Sequence, residues 1–234
     1  MQKMLSPFLT NAIDTHGDRC QFAYRKGVSC TDAIVTLVHN VVLTLNHANT
    51  SIAKVLFLDF SSAFNTVLPN TLLHDLHTFV EDPWVMHWLA DFMKGWSRQI
   101  KMKEGLSEIS EISVGVPHGG PLSALLFTIY TDEIRSQSNC SFIKYADDTA
   151  ITCRISKTSH NVDQRKYESV VSHLATVCDQ KNLLLNPTKS KELVFENTNI
   201  KHEGLLTTKA RKTVVQGAEV DRKEQTVYLG VCMH

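Results

Sequence analysis

The segment SFIKYADDTAITC (141–153) constrains this chain most, because SFIKY and TAITC are β-prone runs flanking Ala146, Asp147 and Asp148. That pattern predicts two strands joined by a tight acidic turn. The run VLFL (55–58) is β-prone and apolar on both faces, which suits a central buried strand leading into Asp59. If that strand lies beside the hairpin, three carboxylates converge at one sheet edge, and so much negative charge is costly unless cations neutralise it. Mg²⁺ is the natural partner: it is a hard ion that takes one or two carboxylates plus substrate phosphates, and two such ions about 3.5–4 Å apart serve phosphoryl displacement. Each motif alone also has an ordinary use, since an Asp after a strand caps helices and Asp-Asp is common turn chemistry.

The remaining chain interleaves helices and strands without regular βαβ alternation. Ile34, Leu37, Val38, Val41, Val42 and Leu45 recur at helical spacing after a Thr31–Asp32 cap. Helices are expected at 70–80 and 83–94, the second with Asp82 as cap, Pro83 in its first turn and Gly95 past its end. RQIKMKE and SEISEISVGV predict a hairpin turning around Glu104 and Gly105, with Lys101 and Lys103 on one face. Leu122, Leu125, Leu126 and Ile129 mark another helix, and Tyr167, Val170, Val171, Leu174, Val177 and Cys178 mark one over about 164–181. Strands at ELVFE and TVYLGVC close the chain after a polar, basic connector at 197–224. The expected class is α+β: an antiparallel sheet with helices packed on one face.

With 234 residues, 43% hydrophobic and only 10 Gly and 6 Pro, the chain is long and apolar enough for one sizeable core. Lys plus Arg and Asp plus Glu are both 24, so attraction to nucleic acid must come from local patches. Arg98, Lys101 and Lys103, and Lys209, Arg211 and Lys212, are candidates for phosphate contact, with solvated surface as the default. Cys20, Cys30, Cys140, Cys153, Cys178 and Cys232 contain no CxxC and are expected to be reduced thiols. The most apolar stretch, AIVTLVHNVVLTL, is broken by His39 and Asn40 and is too short to span a membrane, and the start lacks a signal-peptide pattern. An intracellular protein, nuclear or cytoplasmic, is expected. His74 and His77 lie three apart on a helix but have no third metal ligand in sight.

The order QFAYRKG, FLDFSSAFNTV, GVPHGGPLSALLFTIY, FIKYADDTAI, LLLNPTKSKELVF and VYLGV resembles the reverse transcriptase domain of LINE-type, non-LTR retrotransposons, from about Gln21 to the C-terminus. The resemblance implies a right-handed polymerase fold, with fingers at about 1–54 and 70–114, palm at about 55–69 and 115–225, and the start of a primer grip at 226–234. It implies an RNA template, a DNA primer, dNTP substrates and two Mg²⁺ ions, with Mn²⁺ able to replace them. By the same resemblance, Asp59 and the carbonyl of Phe60 would hold metal, Asp147 would hold both ions and Asp148 would complete the acidic cluster. Phe64 would be the sugar gate that rejects a 2′-hydroxyl. Arg25, beside Lys26, would meet the triphosphate. Lys189, with Lys191 as second choice, would approach the leaving pyrophosphate. His118 stands where Gln is usual, and with Gly119 would back the incoming nucleotide. Gly120, Pro121 and Ala124 also depart from the family's commoner residues. Tyr228, Leu229 and Gly230 would begin the primer grip. The chain stops soon after, so the thumb is expected to be absent and missing regions to be needed.

Two other classes fit parts of this pattern. A non-catalytic remnant would keep the fold and at most bind nucleic acid, which the departures at 118–121 motivate. A palm-fold nucleotide cyclase also carries acidic residues on a hairpin, but lacks the full motif series.

Overall fold

The computed structural model describes residues 2–47, 50–103, 105–117, 120–137, 140–156, 158–196 and 211–234. Helices α1 (Gln2–His16) and α2 (Cys30–Asn46) precede strand β1 (Thr50–Leu58). The short β2 (Phe60–Ser61) leads into α3 (Ala63–Thr66), α4 (Pro69–Leu76) and α5 (Pro83–Phe92). Four two-residue strands follow: β3 (Ser97–Arg98), β4 (Lys101–Met102), β5 (Gly105–Leu106) and β6 (Ser110–Glu111). After α6 (Pro121–Tyr130) come β7 (Cys140–Tyr145), β8 (Asp148–Ser156), α7 (His160–Gln180), β9 (Leu184–Leu185) and β10 (Lys191–Glu196). The last strands are β11 (Val214–Val215), β12 (Ala218–Glu219), β13 (Asp221–Arg222), β14 (Thr226–Tyr228) and β15 (Val231–Met233).

A five-stranded sheet in the order β13-β10-β1-β8-β7 forms the centre, antiparallel except where β13 runs parallel to β10. The VLFL run occupies the middle strand, as its two apolar faces require. On one face Ile52, Leu56, Ile151 and Ile155 pack with Leu126, Tyr167, Val171 and Leu174 from α6 and α7. On the other, Ala53, Val55, Phe57 and Leu193 pack with Ala33, Leu37 and Val41 of α2 and with Tyr228 and Met233. Helices therefore cover both faces, not one, because α2 crosses to the side opposite α7. Its apolar stripe is also wider than its buried face: Val38 and Val42 point to solvent.

Several boundaries differ from the sequence pattern for local reasons. Helix α2 starts at Cys30 because Ser29 is the cap residue and its N–H and Oγ donate to the Asp32 carboxylate at 2.8 and 2.7 Å. Asp82 caps α5 as expected, accepting from the Trp84 and Val85 N–H groups. TVYLGVC is not one strand: Leu229 (φ 48°) and Gly230 (φ 81°) turn it into the β14–β15 hairpin. The hairpin expected around Glu104 is split into two short ladders, β3 with β6 and β4 with β5; Glu104 lies outside the described residues, as do Lys209 and the 197–210 part of the connector. Helix α1 has no counterpart in the sequence pattern; it buries only Leu9, Ala12 and Ile13. All six cysteines are free, and no helix of the described residues is long and apolar enough to cross a membrane.

Candidate active site

Antiparallel register brings the acidic residues together. Leu58, the last residue of β1, pairs with Thr149 of β8, so the next step along each strand sets Asp59 opposite Asp148. Tyr145 pairs with Asp148, leaving Ala146 and Asp147 as a two-residue turn with Ala146 at φ 57°. Asp148 is exposed, yet its carboxyl is raised above the ordinary aspartate range, first by the protein that crowds it and then by the negative charges of Asp147 and Asp59. The three carboxylates thus share one field.

The donor set suits a hard cation. Asp59 Oδ2 is buried with no hydrogen-bond partner, an arrangement that leaves a carboxylate oxygen desolvated and available. Among the described residues no three histidine, cysteine or carboxylate side chains close into a ready-made metal cage. Bare carboxylates repel one another, and Mg²⁺ commonly completes its shell with water and substrate phosphates. The Asn186 N–H donates to the Asp59 carbonyl at 2.8 Å, and antiparallel alternation then turns the N–H and C=O of Phe60 away from β9.

The loop carrying Lys189 is tied to the same backbone. Asp59 N–H donates to Ser190 Oγ at 3.2 Å, and Ser190 Oγ–H donates to the Asn186 carbonyl at 2.8 Å. Asn186 Oδ1 accepts from Thr188 Oγ1 and from the Lys189 N–H, an Asx turn. Lys189 is exposed at its tip, whereas Lys191 is held by the Thr188 carbonyl and, at 3.6 Å, by Asp221. Phe64 is half-buried and stacks on Phe127 of α6, centroids 4.4 Å apart. Arg25 donates through Nε to Asp14 at 3.0 Å, so its guanidinium is engaged within the protein. Tyr228 is buried against Phe57, and its phenol is pushed up, first by burial and then by the charge of Asp148, which sets the β14–β15 hairpin beside the acidic turn. His118 and Gly119 lie outside the described residues. His74 and His77 are exposed.

Residues 1–233 match the family described as Reverse transcriptase (RNA-dependent DNA polymerase). The chain belongs to the reverse transcriptase family. A curated relative of this reverse transcriptase domain, a probable RNA-directed DNA polymerase from transposon BS of Drosophila melanogaster, is 21% identical over 221 residues, covering 91% of the chain and 23% of that protein. Among solved structures, apo telomerase from Candida tropicalis, truncated from its C-terminal domain, superposes with a TM-score of 0.63 at 12% identity, over 99% of this chain and 43% of that one. Telomerase from Candida albicans, in complex with a fragment of telomeric RNA, gives 0.56 at 14% identity, over 85% and 34%. The chain therefore spans less than half of each, and the shared architecture is a polymerase palm-type fold.

Sequence reasoning missed several residues of this reverse transcriptase site. Gln21 opens the QFAYRKG motif and was legible as part of it, but nothing in its spacing shows that it reaches the acidic turn. Tyr24, at φ 60°, has its phenol pushed up by burial and then by Asp147, so it stands near that carboxylate. Gly115 has its own requirement for glycine: at φ 96° a Cβ would meet the Asn65 Cα and Phe64 carbonyl at 3.1 Å. Its neighbour Val116 donates to that same carbonyl at 3.0 Å, seating α3 and hence Phe64.

Proposed function

We propose that the chain is the RNA-directed DNA polymerase domain of a LINE-type, non-LTR retrotransposon, working inside the cell, in nucleus or cytoplasm, to extend a DNA primer on an RNA template. The observation that carries this reading is the register that sets Asp59 opposite Asp148, with a desolvated, partnerless Asp59 oxygen beside it. Fingers at about 1–54 and 70–114 and palm at about 55–69 and 115–225 would frame the site, with the primer grip starting at 226.

Asp59, Asp147, Asp148 and the Phe60 carbonyl would hold two Mg²⁺ ions, or Mn²⁺ in their place. When bound, the ions would supply charge neutralisation at the reacting phosphate, the primer 3′-oxygen and the pyrophosphate. Lys189 would meet that pyrophosphate as electrostatic stabiliser or proton donor. Arg25 would exchange Asp14 for triphosphate oxygens. Phe64 would occupy the space of a 2′-hydroxyl, His118 and Gly119 would back the nucleotide, and Tyr228, Leu229 and Gly230 would hold the primer strand.

Primer extension on an RNA template with Mg²⁺ and dNTPs tests this, using the chain and a version extended through a thumb. Asp59→Asn and Asp148→Asn should each lower incorporation by about 100-fold or more. Unchanged incorporation would remove the assigned roles. Nucleic-acid binding of equal strength with and without Mg²⁺, with no extension, would mark a binding remnant; a cyclic nucleotide product would mark a cyclase.

A further inference from the structure

The acidic turn is held from outside the hairpin. Ala146 occupies the left-handed region, which an L-residue with a Cβ enters only at some energetic cost, and the turn therefore needs support. Gln21 provides it. Its Oε1 accepts from the Ala146 N–H at 3.1 Å and its Nε2 donates to the Ala146 carbonyl at 3.3 Å, so both backbone groups of that one residue are engaged by one amide. Oε1 also accepts from the Ala23 N–H at 3.0 Å, and Gln21 is 1% exposed.

The support is itself anchored. The Lys144 N–H donates to the Cys20 carbonyl and the Phe22 N–H to the Lys144 carbonyl, each at 2.8 Å, so residues 20–22 run parallel to β7. Below them the buried Lys144 ammonium pairs with Asp18 at 2.9 Å and donates to the Thr131 and Ile134 carbonyls at 3.0 and 2.7 Å. The segment that presents Tyr24 and Arg25 is thus fastened to the residue preceding Asp147.

We propose that Gln21 is a positioning residue that fixes the direction of Asp147 and Asp148 by clamping Ala146 in its left-handed conformation. This deepens the polymerase reading and rests on it for its consequence in catalysis, while the clamp itself is a property of the folded chain. The chemistry explains the residue type. A carboxamide offers an acceptor and a donor on one planar group. Glutamate would lose the donor and add a buried negative charge beside two others, and methionine keeps the length but neither bond.

The test compares Gln21→Met, Ala146→Gly and the double variant with the unaltered chain, extended through a thumb where extension requires it. Three quantities are read: hydrogen exchange at the Ala146 amide, Mn²⁺ binding by electron paramagnetic resonance, and kcat and KM for dNTP incorporation. Gln21→Met should speed exchange at Ala146 by about tenfold or more while amides of β1 stay protected. It should weaken Mn²⁺ binding several-fold and lower kcat by about 10- to 100-fold, with KM for dNTP changed less than about twofold. Glycine occupies the left-handed region freely, so Ala146→Gly in the Gln21→Met background should recover part of the lost Mn²⁺ affinity and kcat.

Exchange at Ala146, Mn²⁺ affinity and kcat all unchanged in Gln21→Met would overturn the proposal. So would a loss spread evenly over every amide and not relieved by Ala146→Gly, which is the signature of general destabilisation. If the unaltered chain incorporates no dNTP, yet Gln21→Met loosens Ala146 and weakens Mn²⁺ binding, the clamp stands and the polymerase reading falls.

Discussion

Glu192 is fully buried on β10 and carries a dense set of polar contacts. Its Oε1 accepts from Thr213 Oγ1, from Lys54 Nζ at 3.3 Å and from Tyr167 Oη at 3.5 Å; its Oε2 meets Arg222 Nε at 2.8 Å and Nη2 at 2.6 Å. Lys54 is equally buried, and beyond Glu192 its ammonium donates to the Arg211 carbonyl at 2.7 Å. Burial pushes its pKa down, and the Glu192 carboxylate opposes that. Replacing Glu192 with Leu removes the only carboxylate paired with Lys54 among the described residues and should destabilise the fold by about 3–5 kcal/mol. For a chain of this length each kcal/mol shifts Tm by about 2–4 °C, so the expected fall is about 6–20 °C in calorimetry or thermal circular dichroism. Lys54→Met should cost less, because Arg222 still balances Glu192. The double variant should be more stable than Glu192→Leu alone. The sign with pH follows from Lys54: without Glu192 its folded pKa drops further below the unfolded value, the unfolded state then binds more protons, and the deficit narrows as pH rises toward the unfolded lysine value of about 10.4. A Tm change under about 2 °C, or equal changes for the two single variants, would refute the reasoning.

Asp148 leads to the opposite sign. Its folded pKa lies above its unfolded value, so its charged form is a penalty that is complete above the folded pKa and relieved as pH falls toward about 4; Asp148→Asn should raise Tm at neutral pH, lose that gain in acid, and abolish incorporation. Phe127→Leu removes the ring against which Phe64 stacks and should lower dNTP-over-rNTP discrimination in kcat/KM by about tenfold, against a twofold change at most in kcat for dNTP; unchanged discrimination would show that Phe64 is held by other contacts or does not gate the sugar.

What could be read in advance followed the range of the interactions involved. The VLFL strand, the acidic hairpin and the Asp82 cap depend on neighbours a few residues away, and the structure carries them as expected. Helix α1 was not legible because its buried residues are few and their partners lie on α6, more than a hundred residues along the chain. The two-sided cover of the sheet follows from where α2 crosses, which no local pattern contains, and the exposed Val38 and Val42 made its apolar face look wider than the face it buries.

The acidic site shows the same division within a few ångströms. Asp59, Asp147 and Asp148 were visible because a carboxylate at a strand end or a turn is conspicuous whatever surrounds it. Gln21 and Ser190 were not, since a single amide or hydroxyl becomes informative only when the group it satisfies is known. Yet these quiet residues set the geometry: Ser190 accepts from the Asp59 N–H and Gln21 holds both backbone groups of Ala146. Burial first, and then repulsion from Asp147 and Asp59, raise the Asp148 pKa, and that repulsion would drive the carboxylates apart if their backbones were free to move. Charge at this edge therefore persists because neutral hydrogen bonds from the Cys20–Phe22 segment and the Asn186 turn restrain it from both sides. An acidic cluster on a less restrained turn would move its carboxylates apart and lose the convergence that makes it useful to a cation.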